Sequence, residues 1–432
     1  AGIGVFIGAS LSNGMMDIAR HGIYQPEHFY FAEIMCILLA VMLTDVVLLD
    51  VFNTMGMPTS TTVSMVFELL GGTFALALIK VHGSDTLGFG DLINTDKALS
   101  VIMGIFLSVA IAFFFGMLVQ WLARVVFTFN YTKKMKYSIG IFGGIAATSI
   151  IYFMLIKGLK DSSFMTPENK QWIQDNTTLL IGCFFVFFTL LMQVLHWRKV
   201  NVFKVVVLLG TFALALAFAG NDLVNFIGVP LASYDAWQIA REAGSESIMM
   251  GELSEPARAN FLLLLASGLV MVLTLFFSKK SQHVTETELS LASQHEGEER
   301  FGSTFISRSL VRATLVLNTM WTGLIPVRMQ KAIDRRFEPL PAEERSSAPY
   351  DMIRAVVNLT AASILIAIGT SYQLPLSTTY VVFMVAMGSS LADRTWGRES
   401  AVYRITGVMA VISGWFITAL GGFLIAFGVT LL

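Results

Sequence analysis

The chain has 432 residues, of which 55% are apolar and only 14% charged, and its mean hydropathy is +0.69. Water-soluble domains carry about 25% charged residues, so the composition points to a membrane protein. A net charge of −1 excludes the basic footprint of a nucleic-acid binder.

Eleven apolar segments follow in chain order, at roughly 1–16, 31–49, 62–80, 98–128, 138–157, 177–195, 203–219, 260–278, 353–370, 376–391 and 404–432. A simple span needs about 20 such residues. The first segment starts abruptly, has no charged leader and reads as the second half of a membrane helix, not as a signal peptide. Two segments stand apart, because a similar string precedes each: Pro58-Thr59-Ser60-Thr61-Thr62 and Pro375-Leu376-Ser377-Thr378-Thr379. Proline ends the segment before it, and Ser or Thr caps the helix after it. Hydroxyls and free backbone N–H groups then gather at the positive end of a short helix, which suits an anion. Both segments are therefore expected as broken or re-entrant helices, tolerated at membrane depth only inside protein or beside a water-filled cavity.

The order helix, helix, broken hairpin recurs. Segment 1–20 corresponds to 260–280, 31–49 to 352–370, and Pro58–Leu70 to Pro375–Met387. The expected fold is an all-α integral membrane protein of two inverted repeats, with the two tips meeting near the midplane. The organisation reads as a first repeat at 1–130, incomplete at its N-terminus, then connecting membrane helices at 131–202. The second repeat starts at 203–278, an insert follows at 279–351, and the repeat resumes at 352–432. Lys133, Lys134 and Lys136 lie two spans from Arg198, Lys199 and Lys204, so both loops share a side, cytoplasmic by the positive-inside rule. The insert falls on that side too. Its stretch from Phe305 to Phe337 reads either as an interfacial helix or as a helical linker packed on the core.

A second polar feature is Gly220-Asn221-Asp222-Leu223-Val224-Asn225. Asn221, Asp222 and Asn225 fall within about one helical turn, and their oxygens suit a hard cation such as sodium. Buried at that depth, Asp222 needs a cation, a partner or water. The competing reading makes it a solvated cap at a helix end. Asp50 and Asn53 share a helix face, Asp45 lies one turn earlier, and Glu68 in the first hairpin helix is replaced by Val385 in the second. Each is a further ion-site candidate or a hydrogen-bonding bundle residue. Ser371 and Gln373 border the second tip. Cys36 and Cys183 are expected as small buried residues, not as a disulfide or metal pair.

The Gly-Asn-Asp-x-x-Asn string and the two Pro-x-Ser-Thr-Thr strings together resemble the inorganic phosphate transporter family. The resemblance covers nearly the whole chain outside the insert. It implies phosphate binding by Ser60, Thr61, Thr62, Ser377, Thr378 and Thr379, and cation binding by Asn221, Asp222, Asn225 and Asn53. It also places a further Asn-Asp helix upstream of Ala1, which makes the chain an N-terminally truncated member. Where the family has His after each tip, this chain has Val63 and Tyr380, and Ala219 precedes Gly220. These departures leave the tips intact and bear on the choice of anion and cation.

The expected function is secondary active import of inorganic phosphate by symport with sodium or protons. It needs no cofactor, and it operates in a cell membrane read as a prokaryotic inner membrane, within a homodimer implied by the resemblance. A sulfate symporter of the same superfamily is the main alternative, followed by an anion channel. No Walker-type string is present, which disfavours an ATP-driven pump, and no HExxH or paired-His set supports an enzyme.

Overall fold

The computed structural model describes residues 1–10, 18–83, 86–130, 135–157, 166–255, 260–293, 304–305, 307–309, 311–312, 326–338, 350–372, 374, 376–394 and 398–432. All eleven apolar segments contain helices. We number the principal helices α1 (Gly2–Ser10), α2 (Phe31–Thr54), α3 (Thr61–His82), α4 (Thr95–Phe127), α5 (Met135–Ile151), α6 (Thr177–Trp197), α7 (Val202–Leu223), α8 (Val229–Ala243), α9 (Phe261–Phe277), α10 (Lys279–Ala292), α11 (Met352–Ser371), α12 (Thr378–Ala392) and α13 (Arg398–Leu431). Seven helices among the described residues are long and apolar enough to cross a membrane. This is a multi-pass membrane protein.

Polar contacts define the two ends of the bundle. At one, which we call upper, Tyr24 bridges to Ile93 and Tyr30 to Met249, Arg20 pairs with Asp235, and Lys80 pairs with Glu33. At the other, Arg124 from the end of α4 meets Asp351 before α11 and Asp393 after α12. The lower end also gathers Phe127, Ile139, Met192, Val202, Phe203 and Ile353 into one apolar cluster. The C-terminal end of α4, the first turns of α5 and the 198–201 connection therefore share an end. Lys133 and Lys134 themselves lie outside the described residues.

Helix directions follow from these ends. α2 starts at the upper end and α11 at the lower. α3 runs from its tip to the upper end and α12 from its tip to the lower. α4 descends and α13 ascends. Each repeat is thus inverted with respect to the other. The packing is reciprocal too: α3 lies along α13, and α12 lies along α4, so each hairpin helix rests on the long helix of the other repeat. Glycine permits both crossings. A Cβ at Gly71 would sit 2.2 Å from the Phe423 carbonyl oxygen, and one at Gly388 would sit 2.1 Å from that of Phe113. Close approach through small residues drives helix association where lipid removes the hydrophobic incentive. Backbone atoms cannot swing aside, so Gly388→Val is expected to destabilise the protein by about 3 kcal/mol, the upper part of the over-packing range. Thermal unfolding in detergent checks this, and an unchanged midpoint would show that α12 is not seated on α4 in this way.

Three expectations change. α3 has 22 residues and is long enough to span, whereas α12 has 15 and falls short. The apolar segment 203–219 does not end there: α7 continues to Leu223, passes through a π-helical turn at Val224–Gly228 and resumes as α8. Cys36 and Cys183 are exposed, because both sit on outward faces of spanning helices. A chain immersed in lipid has no need to bury a small apolar thiol.

The insert begins with α10, which crosses beneath both hairpins. Thr287 donates to the Gly56 carbonyl, and Ser390 donates to the Ala292 carbonyl. Within 305–337, residues 306, 310 and 313–325 lie outside the described residues. A helical turn at Val327–Asp334 docks through Asp334 on Arg394, which also covers Phe337.

Candidate functional site where two helix tips meet the Asn-Asp helix

The two tips share one local construction. Ser60 and Ser377 have extended backbone and cap α3 and α12: Ser60 Oγ accepts from Val63 N–H at 3.1 Å, and Ser377 Oγ from Tyr380 N–H at 3.2 Å. Both serines are buried. A capped helix still directs its first N–H groups outward without intrahelical partners. Ahead of the first tip, Gly56 at φ +65° ends α2 in the left-handed conformation that glycine accepts most readily.

The tips converge on α7. Asn221 Nδ2 donates to the Leu376 carbonyl in the second tip at 2.8 Å, and Thr62 Oγ1 in the first tip donates to the same oxygen at 3.1 Å. Asn225 Nδ2 lies 2.9 Å from both Thr61 Oγ1 and Thr62 Oγ1. The Thr378 hydroxyl donates to Asp222 Oδ2, while Asn221 and Asn225 lie 3.4 Å from Oδ1. One carboxylate and two amides thus bind residues separated by more than 300 positions into a single buried cluster. The π-helical turn follows directly, and such turns frequently occur at functional sites.

Asp222 is 2% exposed and lies inside a helix that continues, so the solvated-cap reading fails. Its described partners are hydroxyl and amide donors, and no Lys or Arg among the described residues bonds to the cluster. The oxygens Asn221 Oδ1 and Asn225 Oδ1 are buried and have no hydrogen-bond partner. Three oxygen-bearing side chains within a turn, two of them unsatisfied, present acceptors to a cation. The helix N-termini and hydroxyls nearby present donors to an anion.

Ser60, Thr61, Thr62, Ser377, Thr378, Asn221, Asp222 and Asn225 come together. Thr379 follows them, half-buried, with no hydrogen bond to the cluster among the described residues. Asn53 sits in the last turn of α2, and its side chain makes no such bond either. Asp50 lies at the lower end, paired with Lys280. Ser371 bonds within α11, whereas Gln373 and Pro375 are outside the described residues. Sequence reasoning missed three supports. One is the Leu376 carbonyl, which carries no side-chain signal. The others come from α13: Trp415 Nε1 donates to the Pro58 carbonyl at 3.2 Å, and Thr418 bonds to Thr59 at 2.6 Å. Tyr380 stacks on Trp415 with ring centroids 3.7 Å apart. The side chain after the second tip therefore braces the residue that holds the first.

Comparison with known proteins now bears on this geometry. The sequence pattern of the phosphate transporter family matches residues 1–284, which include the first tip and the Asn-Asp motif. The chain belongs to the phosphate transporter family. It is a transporter and not an enzyme. No curated protein matches the sequence. Among solved structures, the chain is similar to one described as the sodium-dependent phosphate transporter, with a TM-score of 0.63 and 17% identity over 99% of this chain and 87% of that one. At that identity the likeness is one of fold. It extends through the second repeat, beyond the residues matched by the family pattern.

Proposed function

We propose that this phosphate transporter family member imports inorganic phosphate by symport with sodium, binding the anion at the Ser-Thr-Thr tips. The observation that carries the proposal is the convergence of both tips on Asn221, Asp222 and Asn225, with unpaired oxygens beside hydroxyl donors. A cation bound by those oxygens offsets the charge of Asp222 and lowers the cost of bringing phosphate next to it. The sodium assignment draws on the oxygen-only chemistry and on the name of the similar solved structure. An anion held by dipoles and hydroxyls, without arginine, is released more readily than one held in a bidentate clamp. The reciprocal packing of α3 on α13 and of α12 on α4 lets one repeat rock against the other around the site.

Labelled phosphate uptake into proteoliposomes tests this, with sodium and proton gradients imposed separately and sulfate present as competitor. Uptake is expected to follow the sodium gradient and to ignore sulfate. Ser60→Ala and Ser377→Ala are each expected to reduce it at least about tenfold, since loss of a cap alone costs about 1 kcal/mol and the anion also loses a tip ordered by that cap. Gradient-independent uptake, or uptake blocked by sulfate, would refute the proposal.

A further inference from the structure

A second polar site lies away from the tips, in the seam between α2 and α3. Glu68 on α3 is wholly buried, with 0% exposure. Its Oε1 accepts from Ser64 Oγ at 2.5 Å, but its Oε2 is buried with no partner. Asp45 on α2 is its electrostatic neighbour and adjoins the same Ser64 hydroxyl. Asp45 Oδ1 is likewise buried and unpartnered. From the third side, α13 offers Gly422, where a Cβ would lie 3.1 Å from Glu68 Cγ and 3.5 Å from Oε1. The glycine leaves the carboxyl its space.

Among the described residues no basic group is bonded to these two acids. On α3, Lys80 and His82 lie at the upper end, where Lys80 is paired with Glu33 of α2. Asp50 of α2 pairs with Lys280 of α10, whose His283, Glu286 and Glu288 lie at the lower end with it. α13 carries no charged residue after Arg404, which bonds to the Ser293 carbonyl. On α4, Asp96, Lys97 and Arg124 sit near the two helix ends. On α8, Asp235 is paired with Arg20, and Arg241 and Glu242 lie in the last turn. Two neighbouring carboxylates without a countercharge repel each other, and a proton or a cation between them removes that repulsion. A hard metal cation would take about six oxygens, and the carbonyls of α3 are already committed to its helix. A proton needs only the two unpaired oxygens.

We propose that Asp45 and Glu68 form a proton-binding carboxyl pair, distinct from the tip site and coupled to it through α3. Ser60 caps the helix that carries Glu68, eight residues or about 12 Å away. α13 touches both, through Thr418 and Trp415 at the tip and Gly422 at the acid. Occupancy of the pair therefore bears on how α3 sits against α13, the crossing that the transport reading requires to move. This last consequence rests on that reading; the pair itself does not.

Infrared difference spectroscopy of the purified chain in lipid nanodiscs tests the pair. Near neutral pH the wild type is expected to show a protonated-carboxyl C=O band that shifts in heavy water. Glu68→Gln should abolish it and Glu68→Asp should retain it. Asp45→Asn should shift it, and so should Gly422→Ala by crowding the acid. Phosphate binding, measured by calorimetry, should persist in Glu68→Gln, because Glu68 is outside the tip cluster. Any proton carried in addition to sodium should be lost in that variant. A wild type without the band, or a band unchanged in both acid variants, overturns the proposal. If the wild type shows the band but binds no phosphate, the transport reading fails while the proton site stands.

Discussion

Asp222→Asn is expected to eliminate sodium-driven phosphate uptake while leaving the bundle folded. The substitution keeps the shape of the side chain and removes one negative charge. Asp222 is surrounded by donors: the Thr378 hydroxyl and the Nδ2 groups of Asn221 and Asn225. In the asparagine variant one of the two positions becomes a donor itself, so a donor faces a donor or the amide turns and faces another. A cation bound there as proposed would lose the carboxylate and keep only neutral oxygens. A charge-assisted contact is worth about 1.5–3 kcal/mol, which at its upper end corresponds to roughly 100-fold weaker cation binding. The stabilisation that sodium confers on thermal unfolding should fall in step, because a ligand stabilises only the state that binds it. Uptake and sodium-induced stabilisation measured together on wild type and Asp222→Asn provide the check. A variant with undiminished sodium dependence would remove Asp222 from the cation site.

Much of this arrangement is legible from residue types alone. A proline followed by Ser-Thr-Thr states both where the helix starts and what it exposes there, because capping is a local property. Asp222 between two asparagines in an apolar run declares a partner, because an unpaired charge at that depth is too costly. The repeat order follows for the same reason: each copy carries its own local signals. Tertiary support is not local. Nothing around Trp415 in the sequence distinguishes it from an interfacial anchor, yet its indole holds the Pro58 carbonyl. The Leu376 carbonyl, shared by Asn221 and Thr62, has no sequence signature because every residue has a carbonyl. The apolar run alone does not show how far α7 extends: the helix continues through Gly220 and Asn221, which meet the tips, into the π-helical turn at Val224–Gly228. Asn53 shows a different case: a polar residue at a plausible distance in sequence whose side chain makes no hydrogen bond to the cluster among the described residues.

Loss of Arg124 should be the most damaging single change to stability. Its Nε and Nη2 bond the two oxygens of Asp393 at 2.8 and 2.7 Å, and its Nη1 bonds Asp351 Oδ2 at 2.7 Å. Gln120 adds a bond to Asp393 at 2.8 Å, Arg354 stands 3.8 Å from the same carboxylate, and the Arg124 guanidinium lies 3.8 Å over the Phe129 ring. Arg124 and Asp393 are both fully buried at their side chains. Such a pair gains little over an apolar equivalent, but breaking it leaves Asp393 with only the more distant Arg354 as a countercharge, and stranding a buried charge costs up to about 3–5 kcal/mol. Arg124→Met should therefore lower the unfolding midpoint sharply. Arg124→Lys should recover little, because an ammonium cannot span two carboxylates in the bidentate geometry. Arg124→Met combined with Asp393→Leu should be less damaging than Arg124→Met alone, since the stranded charge goes with its partner. Unfolding midpoints of the three variants decide the matter, and a double variant no better than the single would mean that the contacts of Arg124 with Asp351 and Phe129, or the need of the buried Arg354 for Asp393, outweigh the stranded Asp393 charge. The network ties α4 of the first repeat to both α11 and α12 of the second at the lower end. Any rocking of one repeat on the other must therefore either carry this network as a rigid hinge or open it, and the burial of Asp393 makes the hinge the less costly of the two.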